Sequence, residues 1–403
     1  MKRRELLKAL TYSAVANAAC LHRLSFSAQA KSTLVFVFLR GGADSLQMAA
    51  PIDDANYISA RPPELRILGT GSSPGLRLPI GFSNNQDCRL HAAAAPLLDL
   101  FQSKHAQILH ACGLANATRS HFVAQEILES SLNDQNQIKA KTPGWIQPLI
   151  NPSVNQNAKD VIAHVGTSAG KIKSLEGLSL GMNVSGELRS NLVLPGDASA
   201  KLVLEALYQT NPHDMNGNEA LAIGKETLQQ LSFVESKMPR VDGKLTAYAP
   251  SNGVQYNTEN NELLYALQTV AQLIRMDVGL KVACVDFGGW DTHENQSGRI
   301  NNLIRQWSSN MRAFFDDMQA AGKPVTIAVV SEFGRRLRAN ASNGTDHGHA
   351  GAMWLLDTQA RQLLPATVWP GLTTASLDQG LDLTSTKNVK QVLAQVAQQT
   401  LNG

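Results

Sequence analysis

Carboxylates and imidazoles gather in a few short stretches of this 403-residue chain. Ser331-Glu332-Phe333-Gly334-Arg335-Arg336 is followed closely by Thr345-Asp346-His347-Gly348-His349. Earlier, Gly288-Gly289-Trp290-Asp291-Thr292-His293 closes another apolar run. Carboxylate oxygen and neutral imidazole nitrogen are the donors of a zinc or manganese centre. Glu332, Asp346, His347, His349, Asp291 and His293 are therefore candidate metal ligands. Two further clusters join them. Arg40-Gly41-Gly42-Ala43-Asp44-Ser45 aims Asp44 from a turn that glycine loosens, and the plainer alternative makes Asp44 a helix cap. Thr118-Arg119-Ser120-His121 precedes a helical pattern. There Ser120 is either an N-cap or a nucleophile, with Arg119 and His121 supplying charge or a further ligand. Arg335 and Arg336 could hold an anionic substrate or pair with surface carboxylates. His91 and His110 read as structural.

The elements that must position these groups alternate along the chain. Residues 32–39 form a continuous apolar run, as in a central strand covered on both faces. Further strands are expected at 106–112, 161–165, 280–287, 325–330 and 352–356. Helices are expected at 92–100 (kinked at Pro96), 120–130, 197–207, 218–238, 259–276, 300–320 and 388–400, with a loop at 248–257. This alternation predicts a three-layer α/β/α sandwich with a mostly parallel central sheet. Ligand sites in such sheets lie beyond the carboxyl ends of the strands, where the clusters above fall. Residues 53–87 read as a polar excursion lining the entrance to the site.

The N-terminus reads as a targeting segment. Lys2-Arg3-Arg4-Glu5-Leu6-Leu7-Lys8 carries paired arginines, and Ala28-Gln29-Ala30 offers a small-x-small cleavage site. Residues 1–30 are thus expected to be a twin-arginine signal peptide read by that export machinery. Residues 31–403 would be a single domain that works in the periplasm or outside the cell. Lys and Arg number 36 against 33 Asp and Glu, so no strong field invites nucleic acid. No apolar run is long enough to span a bilayer. Cys112 and Cys284 lie in apolar runs and read as buried thiols, so a disulfide framework is not expected.

Taken together, Leu39-Arg40-Gly41-Gly42-Ala43-Asp44, Leu90-His91, Arg119-Ser120-His121-Phe122, Gly144-Trp145, Asp291 to Gln296, Ser331 to Arg335 and Gly344 to His349 resemble the domain of unknown function family 1501. Ala43 and Ser45 are modest departures from its pattern. The resemblance implies an alkaline phosphatase and sulfatase-like fold with a two-metal hydrolytic centre. It implies Asp44 as the first metal aspartate and Ser120 as nucleophile. Asp291 and His293 would be an Asp/His pair, and Glu332 a strand-terminal carboxylate. His347 or His349 would be a later metal histidine, with the other or Asp346 completing the set. Phe333 stands where a metal histidine would be required, and no Cys/Ser-x-Pro-x-Arg sulfatase motif is present. The implied function is metal-dependent hydrolysis of small anionic phosphate or sulfate esters, with zinc, manganese or calcium. The alternative is a non-catalytic binding or assembly protein that keeps the fold and at most one metal.

Overall fold

The computed structural model describes residues 32–402, apart from 80–85, 134, 140–141, 150–163, 169, 171, 179–180, 193–197, 210–218 and 367. The targeting segment, most of the strand expected at 161–165 and the starts of the helices expected at 197 and 218 lie outside the described residues.

An eight-stranded sheet runs through the centre. Its strands are β1 (Thr33–Leu39), β2 (Ala106–Gly113), β3 (His164–Thr167), β4 (Gly181–Asn183), β5 (Val282–Phe287), β6 (Val325–Val330), β9 (Gly351–Asp357) and β10 (Lys387–Asn388). A small antiparallel hairpin, β7 (Arg335–Ala339) with β8 (Thr345–His347), sits between β6 and β9. The spatial order of the sheet is β10-β2-β9-β6-β1-β5-β3-β4. β1 pairs in parallel with both β5 and β6, and only β9 runs against its neighbours. The expectation of a mostly parallel sheet is met, with β9 as its antiparallel member.

β1 shows why its sequence is apolar from Leu34 to Leu39. Val35, Val37 and Leu39 enter one core, while Leu34, Phe36 and Phe38 enter the other. Alternate side chains of a strand point to opposite faces, so a strand covered twice has no polar side to spare. The first face is covered by α2 (Asn261–Arg275) and α3 (Gln296–Ala320), the second by α1 (His121–Glu129) and α4 (Val389–Asn402). Helix α2 starts where the Asn260 side chain accepts from the Leu263 amide at 2.9 Å. It buries Leu263, Leu267, Val270 and Ile274 along one stripe. Cys88, Cys112 and Cys284 are free and buried. No helix among the described residues is long and apolar enough to cross a membrane.

Three expectations need correction. The helix expected at 92–100 is a 3-10 turn, Ala92–Leu97, running into a short α-helix, Leu98–Gln102. Pro96 lies in the 3-10 part, where its missing N–H disturbs least. α3 begins at Gln296 rather than at 300, because Asn295 takes a left-handed conformation (φ 46°) that turns the chain into the helix early. The excursion at 53–87 is not simply polar: it holds the short helix Ala55–Ala60 and the strand Leu76–Arg77, and Tyr57, Ile67 and Leu78 are buried in the core.

Candidate functional site

The carboxyl ends of β1, β5 and β6 converge, and each supplies a loop to one place. After β1 come Gly41 and Gly42. Gly41 lies at φ +121°, and a β-carbon there would meet the Asp291 amide nitrogen at 2.4 Å. Gly42 lies at φ +72°, with Phe333 where its β-carbon would go. These two glycines let the first loop press against the loops after β5 and β6. A Gly41→Ala variant is expected to lose roughly 3 kcal/mol or more of stability, from backbone strain plus the clash. Urea denaturation checks this, and an unchanged midpoint would contradict the tight contact.

Glu332, directly after β6, closes on that turn. Its buried carboxylate accepts from the amides of Gly41 (2.9 Å) and Gly42 (3.1 Å), from Gln125 Nε2 (2.8 Å) and from Ser331 Oγ (2.9 Å). His121 Nδ1 donates to it at 2.9 Å. Burial alone would raise its pKa, but the bonds from His121, Gln125 and Gly42 win and hold it down at about 2. The same bond raises the pKa of His121 above its usual value, against the opposing effect of burial. Glu332 thus orients His121, and its oxygens are already committed to five donors.

His121, His293, His347 and Asp291 form the cluster proper. His347 Nδ1 donates to the Arg119 carbonyl at 2.8 Å, leaving Nε2 as the lone-pair nitrogen of the neutral ring. Burial lowers the His347 pKa, which favours that neutral form. His293 Nδ1 faces Asp346 Oδ1 at 3.5 Å. So each of the three rings is backed at Nδ1 by an oxygen and presents Nε2. These nitrogens converge: His293 Nε2 is 2.8 Å from His347 Nε2, and the two are 3.1 and 3.2 Å from Asp291 Oδ1. His121 Nε2 stands 3.5 Å from Asp291 Oδ2 and, although buried, has no hydrogen-bond partner.

Donor atoms on a tetrahedral ion, with bonds of about 2.0–2.2 Å, lie about 3.3–3.5 Å apart. The donor atoms of Asp291, His293 and His347, 2.8 to 3.2 Å apart, need to open by only a few tenths of an ångström to reach that. Two imidazole nitrogens facing each other at 2.8 Å also require a proton or a cation between them. One donor atom each of His121, Asp291 and His347 lies within 4.8 Å of the other two. Three imidazoles and one carboxylate suit zinc better than calcium, which takes oxygen ligands. Asp291 is ready for the role: partial burial raises its pKa, but Arg335 and His347 outweigh that and hold it at about 2.

Other candidates from the sequence are placed elsewhere. Asp44 caps the short helix Ser45–Met48, as the plainer alternative had it. Its carboxylate is gripped by buried Arg61 (2.8 and 3.1 Å) and by Gln296 Nε2 (2.7 Å), so it is not brought into the cluster. His349 faces Asp378 with Nδ1 (2.9 Å) and the Leu114 carbonyl with Nε2 (2.8 Å), so both ring nitrogens are turned to partners outside the cluster. Arg335 is fully buried and does not face a substrate. It donates to the carbonyls of Gly41, Gly42, Trp290 and Thr345 and to Asp291 Oδ1 at 2.7 Å. Arg336 lies 3.6 Å from Asp346, and Asp346 backs His293 from behind. Ser120 is exposed at the N-cap of α1, where its hydroxyl accepts from the Val123 amide at 3.5 Å. Arg119, half-buried, pairs with Asp382. Phe333 packs beside the rings of His121 and His347, at 4.9 and 4.6 Å between centroids.

Three residues that matter here were missed. Gln125 lies one helical turn after His121, a spacing that places both on one face of α1. Arg61 sits in the segment read as a polar excursion, and nothing local marks it as the partner of Asp44. Asp382 lies beyond the last motif, with no signal in its surroundings.

No curated protein matches the chain. Among solved structures, the C-terminal periplasmic domain of EcEptC from Escherichia coli, in complex with Zn, is similar at 9% identity and a TM-score of 0.38, covering 85% of this chain and 80% of that one. The phosphoglycerol transferase GacH of Streptococcus pyogenes, in complex with sn-glycerol-1-phosphate, is similar at 8% identity and a TM-score of 0.37, covering 98% and 90%. The model of the family described as "Protein of unknown function (DUF1501)" matches residues 31–358, most of the chain, and the chain belongs to that family.

Proposed function

We propose that this chain is an exported, metal-dependent hydrolase of small phosphate or sulfate esters, built on an alkaline phosphatase-like fold. A single divalent cation, zinc or manganese, would be held by Asp291, His293 and His347, with His121 as the fourth donor. The observation that carries this is the convergence of three Nε2 atoms on one carboxylate, each ring backed by an oxygen at Nδ1. Carboxylate or carbonyl backing of this kind fixes the tautomer of metal-binding histidines. One cation rather than two would be bound, because Asp44, Glu332 and His349 are committed to other partners.

When bound, the cation would draw charge from an ester oxygen and favour attack at phosphorus or sulfur. Glu332 and the Arg119 carbonyl keep the two rings in register. Ser120, next in sequence to His121 and open to solvent, is the proposed nucleophile. Arg119, whose Nη2 pairs with Asp382, is the proposed guanidinium for the equatorial oxygens through its remaining donors. The twin-arginine signal and a periplasmic or secreted location belong to the same proposal.

A second reading, a binding protein without turnover, is favoured by one observation. Arg335 is spent on backbone carbonyls, so the site has fewer free cations for an ester than the sequence suggests. Hydrolysis of aryl phosphate and aryl sulfate esters by metal-loaded protein separates the two. The hydrolase is expected to turn over at least one ester, and Ser120→Ala to lose about 100-fold or more of that rate. That variant should fold, since loss of the cap costs only about 1 kcal/mol. A metal-bound wild type inert toward every ester would leave the binding reading.

A further inference from the structure

We infer that Asp382 is a positioning residue for the histidine cluster, acting through Arg119 on His347. Asp382 lies outside the stretch matched by the family, in a tight turn where it bridges to Asp378 and to Arg336 of β7. Its side chain is fully buried. A buried carboxylate is costly unless it is partnered, and here two guanidinium groups approach it. Arg119 Nη2 pairs with one oxygen, and Arg336 Nε lies 3.8 Å from the other.

Arg119 leads to one ring of the cluster, and Arg336 approaches a second only at ion-pair distance. The carbonyl of Arg119 accepts the His347 Nδ1 proton at 2.8 Å, so holding Arg119 in place holds that ring in the tautomer with Nε2 free. Arg336 Nη1 lies 3.6 Å from Asp346 Oδ2, and Asp346 Oδ1 lies 3.5 Å from His293 Nδ1. Asp346 itself is held by Asn340, whose Nδ2 donates to Oδ1 at 3.0 Å, so the hydrogen-bonded route from Asp382 into the cluster is the one through Arg119 to His347. Asp378, close in the same turn, faces His349 instead. The functional consequence rests on the cluster being a metal site; the tautomer does not.

The test uses the full-length protein, labelled with 15N at histidine and kept free of metal at about pH 8, above the ordinary imidazole pKa. Long-range 1H–15N correlation reads the tautomer of each ring. In the wild type, His347 is expected to be wholly the Nδ1–H form. In Asp382→Asn, the Nε2–H form should appear at His347, and zinc affinity should fall about 10–100-fold. Asp378→Asn should change neither. Arg119→Met, which removes the link from the more exposed side, should reproduce the tautomer change and covers the case in which Asp382→Asn does not fold. A single Nδ1–H form at His347 in both variants would overturn the inference. A tautomer change in a protein that never binds zinc would leave Asp382 as the positioning residue and remove the metal reading instead.

Discussion

A chain carrying Asp291→Ala and His347→Ala together is expected to fold and to bind divalent metal at least about 100-fold more weakly than the wild type. The size follows from what is removed. Asp291 Oδ1 is the atom on which His293 and His347 converge, and His347 Nε2 is the ring nitrogen left free by its bond to the Arg119 carbonyl. Without both, His121 and His293 have no shared partner. The fold should survive because Arg335 loses only one of its acceptors and keeps four backbone carbonyls. Equilibrium dialysis against zinc, with circular dichroism on the same samples, checks both halves. A folded double variant with wild-type affinity would place the metal elsewhere.

Replacing Glu332 by Gln is expected to cost about 3 kcal/mol in the metal-free protein. Its pKa falls from 4.5 to about 2 on folding, and each unit corresponds to about 1.4 kcal/mol. A glutamine would also turn a donor toward at least one of the donors that Glu332 now accepts from. The pH dependence has a definite sign. Because the Glu332 pKa is depressed, its contribution is present above 4.5 and disappears as pH falls through about 2. His121 has a raised pKa, so its contribution is complete below 6.5 and disappears as pH rises through the folded value. The wild type should thus gain most from this pair between pH 4.5 and 6.5. The variant should lack that maximum. Urea melts across this range read the difference, and parallel curves for the two proteins would contradict the assigned role of Glu332. Metal affinity should also fall about 10–100-fold, since Glu332 orients His121.

The layers were legible because their causes are local. A strand buried on both faces is apolar almost throughout, as β1, β5 and β6 are apart from Thr33, Asp286 and Thr326, and an amphipathic stripe marks α2 and α3. The place of the site was legible too, since the acidic and histidine motifs follow those strands. The antiparallel direction of β9 was not, because a buried strand reads alike in either direction. Nor was the division of labour among the candidates. Asp44, Glu332 and His349 have the residue types of metal ligands. What removes them from the cluster is a partner distant in sequence: Arg61 for Asp44, the Gly41 and Gly42 amides for Glu332, Asp378 and Leu114 for His349. Arg335 is the clearest case. Its sequence context suggests anion binding, yet its burial makes it a brace for the three loops.

The most direct test of the central claim is the metal content of the folded wild-type protein after exposure to excess zinc and gel filtration, read by inductively coupled plasma mass spectrometry. Three converging imidazoles and Asp291, with the remaining candidates committed to other partners, predict one equivalent per chain. No bound metal, or two equivalents, would contradict it.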